Sequence, residues 1–235
     1  MSEIGKQTVG RAAAELVDNG MRLGLGTGST VEHLLVALAE RRLDVLAVPT
    51  SEATATRCRQ LGIALTTPDE VDELDLAIDG ADELDRELTA TKGGGGALLR
   101  EKVVATMSAR FVLIATRTKL VERLADTFPL PIEVVAFAVA PVTRELHRLG
   151  FEVVRRHGAD GEPTVTDNGN AILDARCPGG LEDPAVTDVQ LSLLPGVACS
   201  GLFVDLAEQA LLADGDDVEV VTRPSPVDEA VAPTD

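Results

Sequence analysis

Three short stretches of this sequence carry residue types that can do chemistry together. Lys92-Gly93-Gly94-Gly95-Gly96 sets one cation against four consecutive glycines. Such a run weakens any helix or strand, so it either lets backbone amides close around a ligand or acts as a flexible linker. The helical pattern that follows at once, over Leu98–Met107, argues against a linker. Lys92 beside glycine amides suits the stabilisation of a developing oxyanion. Glu101 lies within Arg100-Glu101-Lys102. A glutamate on a helix is usually a surface residue, so its case rests on these neighbours.

The second stretch is Asp79-Gly80-Ala81-Asp82-Glu83, after an apolar strand expected over Leu74–Ile78. In an open parallel sheet the carboxyl ends of the strands face the ligand crevice. Asp79 and Asp82 can then both point into a site, bond sugar hydroxyls and exchange protons. The alternatives are a solvated acidic turn or, as the minority view, a divalent-cation site, for which no suitably spaced His or EF-hand loop is present. The third stretch, Gly24-Leu25-Gly26-Thr27-Gly28-Ser29-Thr30, falls at a strand-to-helix junction. Glycine lets amides approach an anion, and the next helix offers unpaired N–H groups. The spacing is not a dinucleotide fingerprint, because Ser29 and Val31 stand where the third glycine is needed, and no lysine follows to complete a Walker loop. An ordinary glycine turn with a Ser N-cap is the competing reading.

The chain has four lysines, Lys6, Lys92, Lys102 and Lys119. Lys92 and Lys102 bracket Glu101, and Lys119 lies just beyond a strand expected over Phe111–Ala115. His33, His147 and His157 share no motif spacing and read as structural or surface residues. Ser29 has no identifiable His–Asp relay, so serine hydrolysis is unsupported.

The elements that must position these groups alternate in type. Helical patterns cover residues 2–19, 31–38, 51–61 and 98–107; strand patterns cover 21–25, 43–48, 63–66, 74–78 and 111–115. This alternation predicts a mostly parallel sheet with helices on both faces. The rhythm changes after Phe128-Pro129-Leu130-Pro131. Strands over 132–137, 151–155 and 171–174 with helices over 142–149 and 183–194 predict a smaller α+β domain with an antiparallel sheet. A strand over Val197–Val204, a short helix over Leu206–Leu212 and a return of Val218–Val221 to the first sheet complete the reading. The expected division is 1–128 with 200–222, then 129–199, then a Pro-rich acidic tail, 223–235, expected to be disordered.

Composition excludes several functions. The formal net charge is -18, which repels phosphate backbones and anionic lipid. There is no Trp or Tyr and only five Phe, so stacking on nucleic-acid bases is disfavoured. The longest nearly apolar stretch, Val134 to Val142, is too short to span a bilayer. Cys58, Cys177 and Cys199 form no CxxC pair, which argues against zinc; with no secretory signal read, they point to a reducing cytoplasm. Excess acid with scarce lysine resembles a salt-adapted surface.

Taken in order, GTGST, DGADE, KGGGG with a following REK, FPLPIEV, TDNGN and PGV with GLF resemble the ribose-5-phosphate isomerase A family. The resemblance runs from about Lys6 to about residue 222. It implies a Rossmann-like sheet plus a smaller, ferredoxin-like α+β domain, a homodimer or homotetramer, and a cytoplasmic enzyme without metal or organic cofactor. The implied reaction interconverts D-ribose 5-phosphate and D-ribulose 5-phosphate in the non-oxidative pentose phosphate pathway. By resemblance Glu101 is the base, Lys92 and Gly93, Gly94 and Gly95 stabilise the enediolate, Asp79 opens the sugar ring and Asp82 contacts hydroxyls. Thr27, Gly28, Ser29 and Thr30, with Gly80, Ala81 and Lys119, bind substrate, and Lys6 lies near the phosphate end. Proton abstraction next to a carbonyl needs this pairing of base and oxyanion stabiliser. Thr116 departs from the Asp common in the family, which alters the hydrogen bonding expected around Lys119.

Two rivals are weighed. Glucosamine-phosphate deaminases and phosphogluconolactonases have similar glycine loops, but KGGGG with REK speaks against them. A sugar-phosphate-sensing transcription regulator needs a DNA-reading helix-turn-helix, for which there is no room before residue 24, and the charge opposes DNA.

Overall fold

The computed structural model describes residues 3–223; except for Arg223, the tail expected to be disordered lies outside the described residues. In chain order the elements are α1 (Glu3–Ala14), β1 (Arg22–Leu25), α2 (Ser29–Arg41), β2 (Leu46–Pro49), α3 (Glu52–Leu61), β3 (Ala64–Leu65), β4 (Leu76–Gly80), β5 (Glu83–Leu84), β6 (Ala90–Thr91), α4 (Leu98–Thr106) and β7 (Phe111–Thr116). Then come β8 (Leu130–Val134), α5 (Val139–Arg148), β9 (Glu152–Arg155), β10 (Ala171–Arg176), α6 (Pro184–Ser192), β11 (Val197–Ser200), β12 (Leu202–Phe203), β13 (Gln209–Asp214) and β14 (Asp217–Thr222).

The main sheet has seven strands in the order β14-β13-β7-β4-β1-β2-β3. All neighbours are parallel except β13 and β14, which form an antiparallel hairpin. Side chains alternate between two cores. Leu76, Ile78, Val112, Ile114, Leu211 and Ala213 pack with α1 and α2 on one face. Ala77, Phe111, Leu113, Ala115, Ala210 and Leu212 pack with Val104 and Ala105 of α4 on the other. Both faces are therefore covered, and the central strands read as continuous apolar runs. The chain turns outward in opposite directions from β1 and β4, so their carboxyl ends open a crevice where ligands bind in folds of this kind.

The second sheet has the order β11-β8-β10-β9, all antiparallel, and comes wholly from residues 130–200. With α5 and α6 this β-α-β-β-α-β arrangement is ferredoxin-like. Its own core gathers Ile132, Val134, Val142, Leu146, Leu173 and Leu191. A small third sheet, β12-β6-β5, was not expected. Its strands have two residues each, too short for periodicity to register.

Three expectations about elements are corrected. The segment expected as a helix over Leu206–Leu212 instead runs into β13, because Ala210 to Ala213 fill a slot between β7 and β14 where tertiary pairing outweighs the helix preference of Ala and Leu. The strand expected over Val197–Val204 breaks at Gly201 and serves two sheets. The first helix stops at Ala14 rather than residue 19, since the N–H groups of Glu15, Leu16 and Val17 bond carbonyls three residues back and tighten the last turn. Among the described residues no helix is long and apolar enough to cross a membrane.

Candidate active site

The crevice is built from backbone proximity first. Leu25 of β1 pairs with Ile78 of β4, so Gly26 and Asp79 lie side by side at the carboxyl ends of the two strands. A Cβ at Gly26 would fall 1.9 Å from Asp79 Oδ1, which is why only glycine fits there. Asp79 Oδ1 accepts from the Thr27 N–H at 3.1 Å and from the Gly80 N–H at 2.7 Å. The Thr27 hydroxyl is pinned by Thr50 at 2.8 Å and Ser51 at 2.9 Å. Gly28, with φ of 121°, then turns the chain into α2 without a side-chain cap, leaving the first N–H groups of that helix facing the crevice.

Lys92 enters from the end of β6, where its N–H donates to Gly201 O at 2.8 Å. Its Nζ donates to Gly80 O at 2.6 Å and lies 3.0 Å from Asp79 Oδ2 and 3.2 Å from Glu101 Oε2. The side chains of Lys92, Asp79 and Glu101 are only 3%, 4% and 4% exposed. Glu101 sits in the first turn of α4, where the helix dipole favours an anion. Its Oε2 is buried and has no aligned hydrogen-bond partner among the described residues, although Lys92 Nζ lies 3.2 Å away.

Two carboxylates share one ammonium here, and that imbalance sets the protonation. Burial and the neighbouring Asp79 charge push Glu101 up to about 8, against the pull of Lys92. Burial also raises Asp79, opposed by Lys92. For Lys92 burial works against the charged form, yet Asp79 and Glu101 outweigh it and hold the ammonium above its ordinary pKa. The three groups thus titrate as a set, with burial favouring the protonated form of both carboxyls and Lys92 opposing it.

A cleft with about 550 Å³ of empty space opens above them. It is lined by Thr27 to Thr30, Gly80 to Asp82, Lys92 to Gly95, Glu101 and Lys119. The glycine run closes one wall, with the Gly94 N–H donating to Asp82 Oδ2 at 2.7 Å. Three separate sequence motifs and the distant Lys119 therefore meet around one sugar-sized space. Asp79 lies just beneath the lining. Lys6 is not brought in: its ammonium is in α1, 3.5 Å from Glu3, and does not line the cleft. None of the three histidines lines it either. Among the described residues no group of three or more His, Cys, Asp or Glu is placed to hold a metal ion.

The sequence profile of ribose 5-phosphate isomerase A (phosphoriboisomerase A) matches residues 46–217. A ribose-5-phosphate isomerase A of Rhodopseudomonas palustris (strain BisB18) is 46% identical over 228 residues, covering 93% of this chain and 97% of the relative. The chain belongs to the ribose 5-phosphate isomerase A family.

A family member from Methylorubrum extorquens is 50% identical over 216 residues, covering 86% of this chain and 91% of the relative. Among solved structures, the ribose 5-phosphate isomerase A of Methanocaldococcus jannaschii superposes with a TM-score of 0.88 at 35% identity, covering 92% of this chain and 97% of that one. A D-ribose-5-phosphate isomerase in complex with phospho-erythronic acid gives 0.91 at 33% identity, covering 95% and 100%.

Within this isomerase fold the Thr116 hydroxyl pairs with Thr118 at 2.9 Å, and Lys119 keeps its place on the cleft wall with its Nζ 5.7 Å from the Phe128 ring centre. Some supporting groups escaped the sequence reading. The Phe203 ring lies 5.3 Å from Lys92 Nζ and 5.2 Å from Lys102 Nζ, a cation–π contact on both lysines that flank the base. The signal was present in GLF but carried no role. Glu83, the last acid of DGADE, faces away from the cleft and accepts from the Ala125 and Phe128 N–H groups and the Thr127 hydroxyl. It anchors the segment leading into the second sheet.

Proposed function

We propose that Glu101 is the general base and Lys92 the oxyanion stabiliser in the interconversion of D-ribose 5-phosphate and D-ribulose 5-phosphate. The observation that carries this assignment is the convergence of Lys92 Nζ on Glu101 and Asp79, within 3.2 Å of each, at the floor of one cleft. In the forward direction Glu101 removes the proton from C2 of the open-chain aldose. The electron pair forms the C1–C2 double bond, and the carbonyl pair moves onto O1. Lys92 and the glycine-run amides offset that charge. Glu101 returns its proton to C1, the hydroxyl proton of O2 passes to O1, and the ketose results. Nothing is gained or lost, so no redox cofactor is needed.

Asp79, raised in pKa by burial beside Glu101, suits proton exchange with the ring oxygen during opening, and Asp82 orients hydroxyls. The amides and hydroxyls of residues 27–30, the α2 N-terminus and Lys119 form the phosphate end in an otherwise acidic protein. The relative with bound phospho-erythronic acid supports this reading, because a planar sugar-acid carboxylate mimics an enediolate. Residues 1–128 with 200–222 act as the catalytic domain and 129–199 as the smaller one. The enzyme works in the cytoplasm, for which three free thiols speak, and as a homodimer or homotetramer. The exposure of Phe137 at 95% and Leu193 at 75% supports self-association, which sedimentation of the purified protein tests.

The decisive assay follows ribulose 5-phosphate formation in EDTA for wild type and E101Q. Turnover by the first and a loss of about 100-fold or more in the second are expected. Equal rates would sink the assignment of the base.

A further inference from the structure

Arg156 lies just past β9, outside the cleft lining, and none of the sequence motifs contains it. Its backbone is fixed on both sides: its N–H donates to Ile172 O at 2.9 Å and its carbonyl accepts from Thr164 N at 3.0 Å. Its guanidinium grips Asp174 with two nitrogens, Nε at 2.9 Å from Oδ2 and Nη2 against Oδ1. Such a fork holds the group in one plane. The remaining nitrogen, Nη1, donates to Gly93 O at 2.7 Å and to Gly94 O at 3.1 Å.

Peptide planarity turns this into a statement about the cleft. In a trans peptide the carbonyl and the next N–H point in opposite directions. Drawing the Gly93 carbonyl toward Arg156 sends the Gly94 N–H the other way, to Asp82 at 2.7 Å. Drawing the Gly94 carbonyl toward Arg156 does the same to the Gly95 N–H. That N–H has no protein partner among the described residues, and Gly95 lines the cleft. The Gly93 carbonyl has a second donor in the Gly96 N–H at 2.9 Å, but the Gly94 carbonyl accepts from Arg156, and glycine has no preference of its own that would hold that peptide in one orientation. A flip would aim carbonyl oxygens at the place where negative charge develops.

We infer that Arg156, held by Asp174, is a positioning residue that orients the Gly93–Gly95 peptides so that the Gly95 amide donates to the reacting oxygens. The inference rests on the proposed reading of the cleft. It adds that the ferredoxin-like unit sets the electrostatics of a site whose reacting groups all lie on the other unit.

The test compares wild type, R156A, R156K and D174N, each checked for folding by its melting temperature. The readouts are kcat and KM for ribose 5-phosphate and the Kd of phospho-erythronic acid. R156A is expected to lower kcat about 10- to 100-fold while KM moves less than about threefold, with phospho-erythronic acid binding weakened along with kcat. R156K should recover little, since an ammonium cannot hold Asp174 bidentately and still reach both carbonyls. D174N, which keeps the guanidinium, should fall between and decides the matter if R156A does not fold. Unchanged kcat per folded molecule, or equal losses in KM and inhibitor affinity, would overturn the inference. E101Q assayed alongside separates the readings: if E101Q is inactive and R156A is normal, only the role of Arg156 fails. If E101Q is active, the base assignment fails, and the inhibitor Kd alone decides the role of Arg156.

Discussion

Lys92 Nζ stands 3.2 Å from Glu101 Oε2 without donating a well-aligned hydrogen bond to it. The ammonium is anchored elsewhere, on Gly80 O at 2.6 Å. Lys92 thus supplies field to the base from an anchor on the neighbouring backbone. A tighter pairing would lower the basicity of Glu101.

The first expectation concerns pH. The base must be ionised to work, and burial beside Asp79 pushes its pKa up to about 8. The free-enzyme kcat/KM should therefore fall as pH drops below about 8, about tenfold per unit on the acid side. Lys92 stays protonated throughout, being held above its ordinary value. A pH–rate profile in EDTA checks this. A profile flat down to about pH 5 would show that the base has an ordinary carboxylate pKa.

The second expectation links the base to stability. Glu101 is raised from 4.5 to about 8 in the folded chain, so the folded state holds a proton that the unfolded state releases between those values. Stability then declines as pH rises through that window. E101Q removes the penalty. Its melting temperature should exceed that of wild type, by the equivalent of about 1 kcal/mol or more near pH 8, with the gap closing toward about pH 4. An E101Q variant less stable than wild type at pH 8 would contradict the burial argument.

The third expectation tests how the loops are nested. G26A places a methyl group within 2.6 Å of three Asp79 side-chain atoms. Asp79 must move, and Lys92 loses its 3.0 Å partner. A fall in kcat/KM of about 100-fold or more is expected, since displacements of about 1 Å have that effect. G20A serves as the contrast, because nothing lies within 4 Å of its Cβ. Its strained φ of 85° costs about 1 kcal/mol of stability and should leave turnover per folded molecule unchanged.

The fourth expectation follows from net charge. A formal charge of -18 repels itself, and about 1 M salt shortens the Debye length to about 3 Å. Melting temperature and activity should rise with KCl over that range. A maximum at low salt would rule out a salt-adapted surface.

The site was more legible than some of its scaffold, for physical reasons. Glycine runs and acidic turns declare themselves because few residues tolerate such backbones, and the parallel sheet declared itself through apolar runs such as Phe111–Thr116. The β13 segment did not, because Gln209-Ala-Leu-Leu-Ala has helix-forming residues and becomes a strand only through the partners on either side. Lys6 entered by resemblance alone; its ammonium lies 3.5 Å from Glu3, and it is not among the residues lining the cleft. Arg156 gave no signal, because its meaning lies in contacts 62 and 63 residues away.

The placement of β13 also bears on synthesis. Its residues, 209–214, complete a sheet whose neighbouring strand β7 ends at residue 116. While the polypeptide emerges from a ribosome, the flank of β7 stays bare until residues 209–214 have been made. Interior strand edges left bare attract unwanted partners. A nascent chain halted before residue 209 should therefore be bound by chaperones and cut readily by proteases, and the enzyme should gain activity only once residues 209–214 have emerged.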